Sequence, residues 1–134
     1  MVDNETIKQI DNLHKGANEA MANKQFDCYM DFFGDELQYK RLNGKTISKT
    51  QLAKDTSKYF DRIQKFSSRY ERKDIKIANQ RIIETLVQQA SLSIRVFIFF
   101  SKNWKVEREG VYEWEKINES WKMVKVEILK ERIS

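Results

Sequence analysis

The sequence predicts one α+β domain, with N-terminal helices packed on one face of a curved antiparallel sheet. Apolar residues recur with helical spacing in the first half of the chain and alternate with polar residues in the second half. The 134 residues include no proline and four glycines, and no linker, repeat or low-complexity segment interrupts them. We therefore assign residues 1–134 to a single domain.

Two helices are predicted before the first strand. Asp3 or Asn4 can cap a long helix whose apolar stripe continues to Met21. A short second helix follows, with Phe26, Tyr29, Met30 and Phe33 on one face, and Gly34 and Asp35 are expected to end it.

A short hairpin and a third helix come next. Asn43-Gly44 follows an alternating stretch, residues 36–42, and predicts a type I′ turn because both residue types tolerate a positive φ. Ser48 and Gln51 have the spacing of a capping box. The apolar positions that follow extend the third helix to Phe66, which is about five turns.

The second half of the chain is predicted to form long strands. Residues 70–78 alternate, and residues 79–89 suit a helix by spacing but a strand by composition. We favour a strand continued through an irregularity there. Residues 90–100 are predicted to be one central strand, apolar on both faces at its far end. Helices can cover only one face, so Phe97 and Phe99 on the other face predict a homodimer interface.

The last two strands are predicted at residues 105–116 and 121–131, with Gly110 at a bulge or kink. The alternation in the first of these strands places Tyr112 on its inner face. The alternation in the second places Lys125 and Glu127 together on its inner face. Arg41 lies beside Leu37 and Tyr39 on an apolar face of the first strand.

Composition excludes several classes of protein. The formal net charge is +5, but basic and acidic residues alternate along the chain, so we expect neither a nucleic-acid nor a membrane partner. Cys28 is the only cysteine, which excludes an intrachain disulfide and a cysteine-based metal site. We predict no metal site and no cofactor. The start of the chain lacks the pattern of a signal peptide, and no apolar run is long enough to span a membrane, so the expectation is a cytoplasmic protein.

Five segments carry a resemblance to a known family. They are AMANKQFD at 20–27, YMDFFGDE at 29–36, NGKTIS at 43–48, GVYEW at 110–114 and WKMV at 121–124. With these segments the chain resembles the nuclear transport factor 2-like (SnoaL-like) superfamily from residue 7 to residue 129. The resemblance implies a cystatin-like cone, in which a curved antiparallel sheet wraps around a long helix. It implies little about function, because the superfamily contains enzymes, binding proteins and assembly modules.

The resemblance does not bring a known catalytic set with it. In relatives similar to ketosteroid isomerase, the acid and base positions correspond to Ala17, Arg41 and Tyr112 here. An arginine cannot serve as the base, because it stays protonated. The single histidine, His14, borders the apolar stripe of the first helix, and we interpret it as structural or solvent-edge rather than catalytic. Catalysis is therefore not predicted, although an unidentified hydrolase or isomerase constellation stays open.

Arg41 is the most informative candidate, with two interpretations. It either pairs with a carboxylate as a structural residue, or orients an anionic ligand as a cavity cation. We predict a homodimeric protein whose cone binds a small molecule, with a partly apolar anion as one possibility. The alternatives are an uncharacterised hydrolase or isomerase and a non-catalytic assembly module. The predicted pocket residues are Tyr29, Tyr39, Arg41, Tyr59, Tyr112, Trp114, Trp121, Lys125 and Glu127.

Overall fold

The computed structural model describes residues 2–97 and 100–134, and these residues form three helices and a six-stranded sheet. The elements, in chain order, are α1 (Asn4–Ala22), α2 (Phe26–Met30), β1 (Phe33–Lys40), β2 (Thr46–Ile47), α3 (Lys49–Phe60), β3 (Ile63–Ala78), β4 (Arg81–Phe97), β5 (Phe100–Ile117) and β6 (Ser120–Ile133). The predicted α+β class with N-terminal helices is confirmed.

The helices begin where the sequence predicts them. Asp3 caps α1 by accepting a hydrogen bond from the Thr6 N–H at 2.7 Å. Ser48 caps α3, because its Oγ accepts from the Gln51 N–H at 3.2 Å. Satisfying these N–H groups stabilises a helix start.

The helix ends differ from the prediction. α2 stops at Met30, so Phe33 and Gly34 belong to β1 rather than to the helix. α3 stops at Phe60, and Ile63 and Phe66 belong to β3. A register shift between Ile63 and Lys65 places Ile63 and Phe66 on the same face of the strand although they are three residues apart. That spacing resembles a helix, which explains the error.

The sheet has the strand order β2-β1-β6-β5-β4-β3. Strands β3 to β6 are antiparallel neighbours, whereas β1 pairs with β6 in parallel. Register shifts interrupt several of these pairs, including one at Gly110, the predicted bulge position. Such irregularities bend a sheet, and this sheet is curved but unclosed.

Two hairpins have tight two-residue turns. Asn79 and Gln80 have φ of 52° and 64°, and Asn118 and Glu119 have φ of 51° and 67°, as a type I′ turn requires. Residues 81–89 are a strand, as favoured over a helix, but this strand is not continuous with residues 70–78, because β3 ends at Ala78 and β4 begins at Arg81. At the predicted type I′ turn only Gly44 has a positive φ, 87°, and its N–H donates to the Arg41 carbonyl.

The predicted central strand at residues 90–100 is not one strand. β4 ends at Phe97, β5 begins at Phe100, and these two residues are cross-strand partners. The chain therefore reverses direction inside the apolar run. The run is the end of a long hairpin rather than the centre of the sheet.

The core lies between α1 and the concave face of the sheet. Ile10, Ile82, Leu86, Trp114 and Val126 are each at most 1% exposed. In the part of the chain that the structure describes, no helix is long and apolar enough to cross a membrane. The described residues also include no cluster of three or more metal-ligating side chains.

Candidate functional site

A cavity of about 820 Å³ lies between the helices and the concave face of the sheet. This volume is in the range of small-molecule sites. Its wall is formed by side chains from the three helices, from β1 and from the four long strands β3 to β6. The apolar and aromatic members include Met21, Tyr29, Tyr39, Leu42, Leu52, Tyr59, Phe66, Leu92, Ile94, Trp104, Val106, Ile128 and Ile133.

Arg41 lies at this cavity and is paired with Asp55 of α3. Its Nη2 donates to Asp55 Oδ2, and Gln51 Nε2 donates to Asp55 Oδ1 at 2.8 Å. The hydrogen bonds from Arg41 and Gln51 lower the pKa of Asp55 and keep it ionised. The geometry matches the first interpretation of Arg41, a cation already neutralised by a carboxylate.

Arg108 of β5 is a second cavity arginine, which the sequence reasoning did not select. Its Nε donates to Glu131 Oε2 at 2.8 Å, and its Nη2 lies 2.6 Å from the same oxygen. Its Nη1 lies 3.4 Å from the Tyr39 hydroxyl. Burial acts to lower the pKa of Arg108, but Tyr39 and Glu131 beside it raise that pKa above its usual value. The guanidinium therefore stays charged.

Three predicted tyrosines do meet at the cavity wall: Tyr29 from α2, Tyr39 from β1 and Tyr59 from α3. Burial raises the pKa of Tyr29 and that of Tyr59, so both phenols stay protonated at neutral pH. A protonated phenol can donate or accept a hydrogen bond. The three rings and Arg108 thus combine apolar surface with polar groups.

Tyr112 lies one layer behind this wall. It is 5% exposed, and its hydroxyl donates to Gln88 Oε1 at 2.7 Å. Gln88 itself lines the cavity. Burial raises the pKa of Tyr112, so it is a stable donor that orients the Gln88 amide.

Four other predicted pocket residues lie elsewhere. Trp114 is in the core, and Trp121 Nε1 donates to Gln9 of α1 at 3.1 Å. Lys125 and Glu127 are on the convex face, where Lys125 lies 3.8 Å from Glu113 and Glu127 lies 3.3 Å from Lys40. A register shift between Glu113 and Trp114 leaves one extra residue in β6, between Met123 and Lys125. Met123 points inward, but beyond the extra residue the inward positions are Val126 and Ile128 instead of Lys125 and Glu127. The inward placement of Lys125 and Glu127 was wrong.

The predicted interface residues need a similar correction. Ile94 lines the cavity and pairs with Lys102, and cross-strand partners share a face. Phe100 precedes Lys102 by two residues and therefore lies on the same face, and a register shift pairs Phe100 with Phe97. Phe97 is therefore on the concave side, not on the convex face that was predicted. Phe99 lies outside the described residues.

A buried polar network fills the opposite end of the concave face. Glu84 of β4 is 0% exposed and accepts from His14 Nε2 and Trp114 Nε1, both at 2.7 Å. Arg72 donates to its other oxygen through Nε at 3.0 Å and Nη2 at 2.8 Å. Burial acts to raise the pKa of Glu84, but the donors His14, Arg72 and Trp114 lower it overall.

The same network includes two further side chains. Arg72 Nη2 donates to Asp11 Oδ1 at 2.8 Å, and the Tyr70 hydroxyl donates to the same oxygen. Among the described residues, no buried side-chain nitrogen or oxygen lacks a hydrogen-bond partner. A carboxylate engaged by four contacts has no lone pair poised for a substrate proton. His14 is thus a satisfied core histidine, and the network is suited to holding α1 on the sheet.

No protein-family model matches the chain, and no curated protein matches it. Solved structures do match. A conserved protein from Planctomyces limnophilus is 8% identical, with a TM-score of 0.80 over 93% of this chain and 95% of that one. A hexachlorocyclohexane dehydrochlorinase (LinA, type 2) is 9% identical, with a TM-score of 0.71 over 97% and 89%.

A nuclear transport factor 2-like protein of unknown function from Shewanella oneidensis is also similar. It is 18% identical, with a TM-score of 0.65 over 92% of this chain and 98% of that one. These similarities cover nearly the whole chain and agree with the family features that the sequence indicated. The chain therefore has the cone-shaped nuclear transport factor 2-like (SnoaL-like) fold.

Proposed function

We propose that the protein binds a small, largely apolar organic molecule in its cone. The observation that carries this proposal is the 820 Å³ cavity, whose wall combines apolar surface with Arg108 and the hydroxyl groups of Tyr29, Tyr39 and Tyr59. An apolar pocket with a few convergent polar groups is the usual form of a ligand site. An assembly module would need no such space, so the open cavity disfavours that alternative.

The charges at the cavity favour an uncharged ligand. Asp55 neutralises Arg41, and Glu131 neutralises Arg108. An anion would leave the cavity with an uncompensated negative charge or would have to displace a carboxylate, and both cost free energy in a partly buried site. A carbonyl or ether oxygen could instead accept from Arg108 Nη1 or from a tyrosine without altering either pair. A partly apolar anion is the second candidate, because Arg108 Nη1 faces Tyr39 rather than a carboxylate.

The protonation states at the cavity favour binding over proton-transfer catalysis. Asp55 has a lowered pKa, and Tyr29 and Tyr59 have raised pKa values. General acid–base catalysis works best with a group whose pKa is near the working pH, and these three groups are all shifted away from neutrality. Because a dehydrochlorinase has a similar fold, a catalytic function is the alternative proposal.

A screen by thermal shift tests the proposal. Apolar ring compounds would be supplied as matched pairs, each a carboxylic acid and its primary amide, because the pair differs in charge more than in shape. A ligand that binds only the folded state raises the melting temperature. We expect amides to raise it more than acids. Tighter binding of the acids would support the anion instead.

Two matched variants locate the site. Leu92→Trp places a large side chain inside the cavity, and Ser91→Trp places the same side chain on the exposed convex face of the same strand. We expect Leu92→Trp to abolish the ligand-induced shift and Ser91→Trp to preserve it. Equal shifts in both variants would contradict binding in the cone.

We also propose a homodimer, formed through the convex face of the sheet. Ile83, Val87 and Val111 form a half-buried apolar strip on this face. Glu109 and Glu113 of β5 lie beside it and already pair with Lys73 and Arg81 of the same chain, at 2.9 Å and 3.4 Å. A two-fold interface places a surface against itself, so this strip would pack against its copy while the charges beside it stay neutralised by their intrachain partners.

Sedimentation equilibrium tests the dimer. We expect the wild type to sediment as a dimer and Val87→Glu as a monomer, because the variant buries an unpaired charge at the interface. Ile77→Glu, at an exposed position on β3, is the matched control. A wild type that is monomeric at all concentrations would eliminate the proposal.

A further inference from the structure

The end of the β4–β5 hairpin exposes large apolar side chains. Phe97 is 69% exposed, Phe100 is 68% exposed and Val96 is 47% exposed. The two phenylalanine rings are edge-to-face, with centroids 6.3 Å apart, on the concave side of the hairpin. We call Val96, Phe97 and Phe100 the apolar tip.

Basic side chains surround the base of the apolar tip. Arg95 and Lys102 lie on the hairpin itself, and Lys105 follows on β5. The Arg95 N–H donates to the Arg62 carbonyl at 2.9 Å, and Lys65 of β3 pairs with Ser93. Arg62, just before β3, and Lys65 therefore lie alongside the hairpin. We call these five residues the basic collar.

The basic collar accounts for the whole net charge of the chain. Residues 62–65 and 94–105 contain these five basic residues and no acidic residue. The chain has 25 basic and 20 acidic residues, so the remainder has 20 of each sign. All five collar side chains are exposed, and among the described residues none has an ion-pair partner. Acidic residues resume only at Asp61 and Glu107.

From this arrangement we propose that the apolar tip docks onto an anionic membrane surface. Aromatic residues backed by lysine and arginine are the composition of interfacial membrane-binding segments, which bury apolar groups about 5–10 Å deep. A strand rises about 3.3 Å per residue, so Lys102 stands about 7 Å behind Phe100. The apolar tip thus reaches the acyl boundary while Arg95 and Lys102, the part of the basic collar nearest to it, lie at the height of the phosphates.

Two other occupants fit less well. A second copy of the chain would bring one basic collar against another, and like charges repel. A nucleic acid would match the positive charge, but single-stranded binding uses aromatic rings spaced along a groove, whereas Phe97 and Phe100 pack against each other at a projecting end. Charge and shape together favour the membrane surface.

The orientation of the docked molecule follows from the hairpin. Ile94 and Trp104 belong to the same two strands and line the cavity, and Lys102 Nζ lies 4.3 Å from the centre of the Trp104 ring. Docking would therefore bring the cavity wall of this hairpin close to the bilayer. The docking proposal does not depend on the identity, or the existence, of a cavity ligand.

Vesicle flotation of the full chain tests the proposal. The probes are vesicles of phosphatidylcholine alone and of phosphatidylcholine with phosphatidylglycerol. We expect binding only to vesicles that contain phosphatidylglycerol, weakened by added salt because the attraction is partly electrostatic. No binding to these vesicles would overturn the proposal.

Variants separate the two parts of the surface. One double variant, Phe97→Ser with Phe100→Ser, removes the two aromatic rings of the apolar tip. A second double variant, Arg95→Glu with Lys102→Glu, reverses the charge of two residues of the basic collar. Each pair should reduce vesicle binding by about tenfold or more, since burial of apolar area and attraction to anionic lipid both contribute. Lys76→Glu with Ile77→Ser, at the opposite end of β3, makes similar exposed changes and should leave binding unchanged.

Three further results would overturn the proposal. Undiminished vesicle binding by the Phe97→Ser, Phe100→Ser variant would show that the apolar tip does not insert. Conversion of a dimer to a monomer by the same variant would assign the tip to a second copy of the chain. The third result is tight binding of the wild type to single-stranded DNA, lost in the tip and collar variants, together with no binding to vesicles. That result would assign the apolar tip and the basic collar to nucleic-acid binding.

Discussion

Two arginines on the concave face make nearly the same contacts and have different consequences. Arg72 is held by Glu84 and Asp11 at the closed end of the cone. Arg108 is held by Glu131 through Nε and Nη2 near the cavity. The Arg72 side chain is 16% exposed and Glu84 is 0% exposed, whereas the values for Arg108 and Glu131 are 33% and 24%.

The difference shows how burial determines the role of an ion pair. At the closed end every polar atom of Glu84 is occupied and its side chain is fully buried, so loss of one partner leaves an uncompensated charge in the core. Near the cavity, solvent can reach both partners, and Arg108 Nη1 is directed to a phenol rather than to a carboxylate. The first arrangement stabilises the fold, and the second leaves a donor for a ligand.

The largest effect should come from the two glutamates. Glu84→Gln removes the buried charge that His14 and Arg72 surround, and we expect it to lower the free energy of unfolding by about 3–5 kcal/mol. Glu131→Gln, at the partly exposed pair, should cost about 1 kcal/mol or less. Urea denaturation followed by circular dichroism measures both. Equal costs would show that burial does not separate the two sites.

Acid should remove the contribution of Glu84 in the wild type. Its pKa in the folded state is below the ordinary value of 4.5, so its stabilisation is complete above about pH 4.5 and is lost as the pH falls through the folded-state pKa. Burial acts to raise the pKa of Asp11, but hydrogen bonds from Arg72 and Tyr70 lower it overall. Asp11 therefore also loses its stabilising contribution as the pH falls. Unfolding measured from pH 6 down to pH 2 should show a shallower loss of stability in Glu84→Gln than in the wild type. Parallel curves would contradict the assignment.

Two tryptophans give an intermediate effect. Trp114→Phe removes the Nε1–H that donates to Glu84 at 2.7 Å, and we expect a cost of about 2 kcal/mol, because a buried acceptor loses a donor. Trp121→Phe removes a donor to Gln9 on the exposed side of α1 and should cost about 0.5 kcal/mol. Thermal unfolding of the two variants compares them directly. A larger loss in Trp121→Phe would indicate that the Glu84 network is not the stabilising element.

The smallest effect is expected for a pair of phenols. Tyr70→Phe removes the hydroxyl that donates to Asp11 beside Arg72 and should cost about 1 kcal/mol. Tyr39→Phe removes only a contact 3.4 Å from Arg108 Nη1, and stability should change by about 0.3 kcal/mol or less. Tyr39→Phe should instead weaken any ligand detected in the thermal-shift screen. Unchanged ligand affinity in this variant would remove Tyr39 from the proposed site.

Several parts of the fold could be predicted because their signals are local. Asp3 and Ser48 act as caps within one helical turn, and apolar periodicity identified the first helix and the long strands. The errors occurred where local patterns are ambiguous. Ile63 and Phe66 mimic helical spacing because of a register shift, and Asn79-Gln80 lacks the glycine of a typical hairpin turn.

The candidate site was predicted only in part, for a related reason. Tyr29, Tyr39, Arg41 and Tyr59 do line the cavity. The partners of the charged residues are distant in sequence: Asp55 is 14 residues from Arg41, and Glu131 is 23 residues from Arg108. The signal for Glu84 was present but subtle, as a lone acid between the buried Ile82 and Leu86 on one side of a strand.

Local chemistry in the sequence was sufficient for the fold class, the helix starts and the aromatic lining of the cone. Strand register depends on contacts between distant residues, and a shift of one residue moves every later side chain to the opposite face. Register therefore determined that Val126 and Ile128 rather than Lys125 and Glu127 point inward, and that Phe97 faces the concave side. It also brought Arg62 and Lys65 beside Arg95, which concentrates the positive charge that appears dispersed along the chain.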